Sequence, residues 1–311
     1  MSEPRIGLVL GGGGARGIAH VPVLEALDEM GLVPTAISGT SIGAIYGAAR
    51  AGGLTGAEIR ARTLDAFGNR TAALAKLWSL RPKKLGDLLT GGFGLGQLSP
   101  EKILSAFVGD VLPESFEACR IPLAVVATDF YGGSEAVFTR GPLRPAVAAS
   151  IALPTLFKPM VIDGRVLIDG GIVDPVPVDV LPAEVDVVIA VDVVSFPEPQ
   201  DGRSLPGALE VIFGATQLMM QQVASARFER RRPDVLLRPP VNHVRVLDFL
   251  DAAKILASTE VVKDDLKRRL SRAVEAHREA PEPQPETPPE TPPKHGGWHL
   301  PMRRRRTSTD P

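Results

Sequence analysis

Four consecutive glycines, Gly11 to Gly14, follow directly on the apolar run Ile6 to Leu10 and lead through Arg16 and Gly17 toward a helical pattern, GLVLGGGGARGIAHV from Gly7 to Val21. A buried strand that turns through bare backbone into a helix is the opening unit of an α/β fold, whose ligand crevice lies at the carboxyl ends of its strands. Gly12, Gly14 and Gly17 satisfy the G-x-G-x-x-G spacing of a dinucleotide site. They also satisfy the plainer demand of a turn with positive φ, so the loop alone leaves both readings open.

The rest of the chain repeats the alternation. Ile6–Leu10, Ala36–Ser38, Leu123–Ala127, Val187–Val194 and Val235–Arg238 are β-branched, nearly free of charge and read as buried strands, with helical stretches between them. The expected fold class is therefore α/β, a three-layer α/β/α arrangement with a mostly parallel central sheet. Glu135–Thr139 and the MVIDGRVLIDGG hairpin, turning at Asp163-Gly164, predict antiparallel additions. A long amphipathic helix from Asp248 closes the fold. Residues 281–293 hold seven prolines in thirteen and exclude helix or sheet, so residues 1–280 are expected to be one domain and 281–311 a disordered Pro-rich tail with a basic cluster at Arg303–Arg306.

Composition excludes several partners. The formal net charge of −1 over 311 residues offers no global attraction to nucleic acid, and the single cysteine, Cys119, excludes a disulfide framework or a multi-cysteine metal site. The acidic, glycine-broken N-terminus does not read as a signal peptide, and no window has the length of a spanning helix, which favours a cytoplasmic protein.

The second strand argues against a dinucleotide. Where such a site needs an acidic residue for the ribose, this chain has ISGTSIGAIYGAA, and Gly39-Thr40-Ser41-Ile42-Gly43 is G-x-S-x-G at a strand-to-helix junction, the context of a nucleophile elbow. The motif also arises by chance in unrelated chains. If Ser41 attacks an ester, the glycine loop acquires a purpose, since its N–H groups suit the oxyanion that develops on the carbonyl. Arg16 braces that loop, meets a phosphate or is an ordinary surface residue. Of the histidines, His20 reads as a packed or capping residue and His277 as a helix end, while His295 and His299 lie in the tail. His243 follows the aspartate motif in triad order but sits in a plain connection. Asp169, at the end of an apolar strand and followed by Gly170-Gly171, is the better base, because burial beside a hydroxyl raises a carboxylate's pKa. An isolated D-G-G also reads as a turn.

Taken in order, these motifs resemble the patatin-like phospholipase family from Ile6 to about Ala280. The resemblance implies that Gly12, Gly13, Gly14 and Arg16 form the oxyanion hole. It further implies Ser41 as nucleophile on the Gly39/Gly43 elbow, and Asp169 as the base of a Ser-Asp dyad, with Gly17, Gly170 and Gly171 as motif glycines. The segment AVAASIALPTLFKPM, with Ser150, Pro154, Phe157 and Pro159 in the family's spacing, and the block from Ala127 to Leu143 agree. Pro22 departs, standing where bacterial relatives carry glycine, and predicts a helix that starts late or kinks. The implied activity is hydrolysis of fatty-acyl esters of phospholipids or lysophospholipids, without cofactor or metal; a catalytically idle lipid-binding or regulatory protein on the same fold is the alternative. Expected partners are a lipid ester and, through the basic tail, the anionic inner face of a membrane, with no nucleic acid and no assembly state implied. Thr71–Leu98, which mixes Trp78 and leucines with Lys76, Arg81, Lys83 and Lys84, reads as an interfacial lid or as a plain covering pair of helices.

Overall fold

The computed structural model describes residues 3–79, 98–199 and 205–279. The tail from 280 onward lies outside the described residues, as do Leu80, Arg81, Lys83, Lys84, Leu85, Leu88 and Leu89 of the expected lid and the side chains of Lys76 and Leu77.

Among the described residues eight strands form one mixed sheet: β1 (Ile6–Leu10), β2 (Ala36–Thr40), β3 (Leu123–Asp129), β4 (Ser134–Phe138), β5 (Met160–Ile162), β6 (Arg165–Asp169), β7 (Val187–Val191) and β8 (Val235–Leu237). The α-helices are α1 (His20–Glu29), α2 (Ile42–Ala51), α3 (Gly56–Phe67), α4 (Arg70–Ser79), α5 (Pro100–Phe107), α6 (Leu143–Ser150), α7 (Ala208–Arg230), α8 (Ala252–Thr259) and α9 (Val261–Glu279). Strands β3, β2, β1, β7 and β8 are parallel neighbours in that order. Strands β4, β5 and β6 add antiparallel.

Side chains alternate across the sheet, and both faces are covered. Leu8, Leu10, Ile37, Ile189 and Val191 pack into one core with α1, α2 and α9. Val9, Ala36, Val188 and Ala190 pack into a second core with Val176, Val178, Leu181 and Ala224 of α7. This double burial is why the strands read as continuous apolar runs rather than as alternating ones.

One detail of register positions the site. Strand β4 pairs with Val125–Asp129 of β3 and takes one edge of it. The other edge is shared: β2 runs parallel and ends with Thr40 opposite Val126, while β6 arrives antiparallel and ends with Asp169 opposite Ala127. The ends of β2 and β6 thus meet head-on at consecutive residues of β3. The hairpin that delivers β6 turns at Asp163 (φ 51) and Gly164 (φ 73), the two positive-φ positions of a primed turn.

Of the two readings of Pro22 the late start holds, and one other expectation, an unbroken C-terminal helix, changes. The glycine loop opens into a 3₁₀ turn, Gly14–Ala19, and α1 begins only at His20. Pro22 then falls in the first turn of α1, where a missing N–H costs no helical bond. The C-terminal helix is not continuous but divides at Glu260 into α8 and α9. Thr259 Oγ1 bonds back to Ile255 O at 2.7 Å, and β-branched Val261 and Val262 follow it.

Candidate active site

Ser41 is the residue on which β2 turns into α2. Its backbone has φ 54 and ψ −123, a strained conformation that points the side chain out of the turn. Helix α2 must then pass close over the strand ends: a Cβ at Gly43 would stand 2.0 Å from Leu10 O, and one at Gly39 would stand 2.6 Å from Gly43 O. Neither position tolerates a side chain, which is the physical content of G-x-S-x-G here. Gly17, in the 3₁₀ turn, faces Ile42 of the same elbow. The Ser41 N–H donates to Ser150 Oγ at 2.8 Å, and Ser150 donates to Val126 O at 2.6 Å. The sequence places Ser150 in a family segment but gives no hint of this role.

Asp169 is held on four sides. Its N–H donates to Ala152 O at 3.0 Å and its carbonyl accepts the Thr128 hydroxyl at 2.7 Å. Oδ1 accepts the Gly171 N–H at 2.8 Å, and Oδ2 accepts the Ser41 hydroxyl at 2.6 Å. Gly170 completes the turn, its Cα pressed toward Val126 O. The carboxyl is buried, and desolvation pushes its pKa up to about 6, against the lowering effect of the Ser41 and Gly171 hydrogen bonds.

The glycine loop lies beside Ser41, with a Cβ at Gly12 falling 3.3 Å from Ser41 Cβ. Its amides are not equivalent. Gly11 donates to Val191 O at 3.0 Å, Gly12 to Pro175 O at 2.8 Å and Ala15 to Val246 O at 2.9 Å. Among the described residues, the N–H groups of Gly13 and Gly14 are left without an internal acceptor. Gly14 has φ 60 and lies so near Val246 O that a Cβ would stand 2.2 Å from it. Arg16 is buried rather than on the surface, and its Nε donates to Gly13 O at 3.1 Å. Burial pushes its pKa down to about 10, so the guanidinium stays charged at the cleft floor at neutral pH.

The histidines fall elsewhere. His20 is wholly buried beneath the loop, donating from Nε2 to Gly11 O at 2.9 Å, with its pKa pushed down to about 4 by desolvation. His243 is exposed on the cleft wall, and His277 lies near the end of α9. The two oxygens of Asp169 face Ser41 and Gly171, not a histidine.

Above these groups opens a cleft of about 1860 Å³. Its polar floor is Ser41, Asp169 and Arg16, and its walls are apolar, including Ile45, Leu153, Leu156 and Phe157. Phe67, also in the wall, stacks on Phe107 at 5.2 Å and lies against Phe249 at 5.1 Å. Such a site suits a long apolar chain carrying one reactive polar group.

Comparison with known proteins places the chain in a family. The model for the patatin-like phospholipase family matches residues 8–182, and the chain belongs to that family. An uncharacterized NTE family protein of Mycobacterium tuberculosis is 42% identical over 176 residues, covering 57% of this chain and 45% of that protein. The neuropathy target esterase of Drosophila melanogaster is 34% identical over 180 residues, covering 57% of this chain and 12% of that protein. The chain therefore matches less than half the length of these relatives. Among solved structures, VipD of Legionella pneumophila aligns over 89% of this chain and 74% of its own, at 16% identity and a TM-score of 0.41.

Proposed function

We propose that this chain is a serine acyl hydrolase that cleaves the fatty-acyl esters of phospholipids or lysophospholipids through a Ser-Asp dyad. The observation that carries the reading is the 2.6 Å hydrogen bond from Ser41 Oγ to Asp169 Oδ2 on the floor of an apolar cleft. Family membership supports lipid ester chemistry, and the free amides of Gly13 and Gly14 beside Ser41 support acyl transfer.

In the first half-reaction, Ser41 Oγ attacks the ester carbonyl and its proton passes to Asp169 Oδ2. The carbonyl oxygen becomes an oxyanion facing the Gly13 and Gly14 N–H groups, with the N-terminus of α2 adding positive potential. Collapse breaks the bond to the alcohol, which leaves with the proton from Asp169, and the acyl group stays on Ser41. In the second half, Asp169 takes a proton from water, the hydroxide attacks the acyl carbonyl, and Ser41 Oγ recovers the proton as the fatty acid departs. A pKa near 6 serves both steps, because the carboxyl is mostly ionised at pH 7 yet basic enough to accept a proton.

The test is a panel of p-nitrophenyl esters, phospholipids and lysophospholipids, with fluorophosphonate labelling of Ser41. Wild type turns over and labels; Ser41→Ala and Asp169→Asn lose essentially all turnover, and Ser41→Ala loses the label. A folded wild type that neither labels nor hydrolyses any ester is the idle lipid-binding protein instead.

A further inference from the structure

Helix α7 crosses the second face of the sheet and reaches the catalytic turn, where Met220 packs on Gly171 so closely that a Cβ there would stand 2.7 Å from Met220 Cε. Its outer side is unusual. Between residues 207 and 226 the only charged residue is Glu210, whose carboxylate accepts the Gly207 N–H at 2.9 Å. Val211, Ile212, Leu218 and Met219 are 51%, 50%, 48% and 62% exposed, and their spacing of i, i+1, i+7 and i+8 puts them on one face, with Ala215 between. Phe196 and Leu205 are exposed as well. Together these side chains present on the order of 600 Å² of apolar surface, the upper end of what a globular monomer shows.

We propose that this face of α7 seats the protein on a lipid bilayer and does so by apolar insertion rather than by charge, an inference that rests on the hydrolase reading above. Three observations select this occupant. Val211 and Leu218 wall the cleft that contains Ser41, so a bilayer against the stripe is continuous with the cleft mouth and an acyl chain passes from one apolar phase to the other. The absence of charge from 211 to 226 leaves an ion-paired protein partner nothing to grip. A second copy of the chain would bury about 1,200 Å² in total, the bottom of the range for a specific dimer. It would also close the mouth that a substrate must enter.

The test uses the full chain and vesicles of zwitterionic phosphatidylcholine at on the order of 1 M salt, where charge is screened within about 3 Å. Ile212 and Met219 lie on the stripe but not on the cleft wall, so Ile212→Gln/Met219→Gln is the informative variant. In a Ser41→Ala background it is expected to weaken vesicle partition at least about tenfold. In the otherwise wild-type chain it leaves p-nitrophenyl butyrate hydrolysis unchanged and slows hydrolysis of vesicle lipid. Vesicle binding without any ester turnover supports the docking face while removing the hydrolase assignment. The proposal is overturned if wild type does not bind the vesicles, if the variant binds them equally well, or if sedimentation shows a wild-type dimer that the substitutions dissolve.

Discussion

Ser150 and Ser41 are joined by a hydrogen bond from the Ser41 N–H to Ser150 Oγ at 2.8 Å, and the Ser150 hydroxyl in turn donates to Val126 O. Val126 is the β3 residue opposite Thr40, so one hydroxyl ties the strained elbow to the strand that also aligns Asp169. Ser150→Ala removes the tie and leaves Val126 O without that donor, at a cost of about 1 to 3 kcal/mol in stability. Turnover of a short ester is expected to fall about tenfold through kcat with KM unchanged, since the loss is one of nucleophile placement. Steady-state kinetics beside a urea melt check this; a lower urea midpoint with full kcat would mean that Ser150 only braces the fold.

The acid limb of the pH profile reads Asp169 directly. As the proposed dyad base, Asp169 works only when ionised, and burial lifts its pKa to about 6. The kcat/KM for a neutral ester is therefore expected to rise through about pH 6 and level off above about pH 7. A half-maximum near 4, the value of a solvated carboxylate, would contradict a buried base.

The same shift makes a statement about stability. The folded-state pKa is raised from 3.8 to about 6, so the native state favours the protonated form and loses stability as pH rises through that window. Above it the deficit is about 3 kcal/mol at most. Asp169→Asn keeps an acceptor for the Gly171 N–H and can donate to Ser41 Oγ, while removing the buried charge. Urea melts are expected to show the variant more stable than wild type at pH 8, with the gain shrinking to nothing toward pH 4.

Arg227 of α7 holds the loop that follows the Asp169 turn. It meets Asp174 Oδ2 at 3.1 Å, Asp179 Oδ2 at 3.4 Å and Glu135 Oε2 at 2.9 Å. Asp174 is wholly buried, and desolvation pushes its carboxyl up to about 7 although Arg227 opposes the rise. Arg227→Gln leaves that carboxylate unpaired and is expected to cost about 3 to 5 kcal/mol at pH 8. Below about pH 6 Asp174 takes up a proton and the loss narrows. An equal loss at both pH values would assign the effect to packing instead.

His243→Ala is expected to keep at least about half of wild-type kcat/KM, because general-base catalysis needs contact and Asp169 turns its oxygens to Ser41 and Gly171. A variant as inactive as Ser41→Ala would require a triad.

What the sequence discloses here follows how local each interaction is. The elbow is legible because Gly39 and Gly43 answer to clashes within a strand, a turn and a helix that are all visible in thirteen consecutive residues. The Asp163-Gly164 turn is legible for the same reason. That Asp169 faces Ser41 across 128 positions is not: its strand-end place before two glycines made it a candidate base, and the order of motifs shared with a known family paired it with Ser41. Nothing local announces that the Gly12 amide is taken by Pro175, that Ser150 bridges the elbow, or that α7 leaves apolar side chains outward. Those are facts of long-range register and of which helix faces remain uncovered. The break at Glu260 was hidden because a Thr259 hydroxyl, not a glycine or proline, interrupts the pattern.

Under the proposed dyad mechanism, strand ends that meet on consecutive residues of β3 also set when the chemistry can begin. The segment through α2 supplies a nucleophile, but the carboxylate arrives only with the β5–β6 hairpin, after β3 has been laid down. A chain emerging from the ribosome, or one trapped short of its last strand pairings, carries a serine with no base to wake it. On the proposed dyad mechanism, reactivity would switch on with the closing of the sheet, which would make the finished fold its own safety catch.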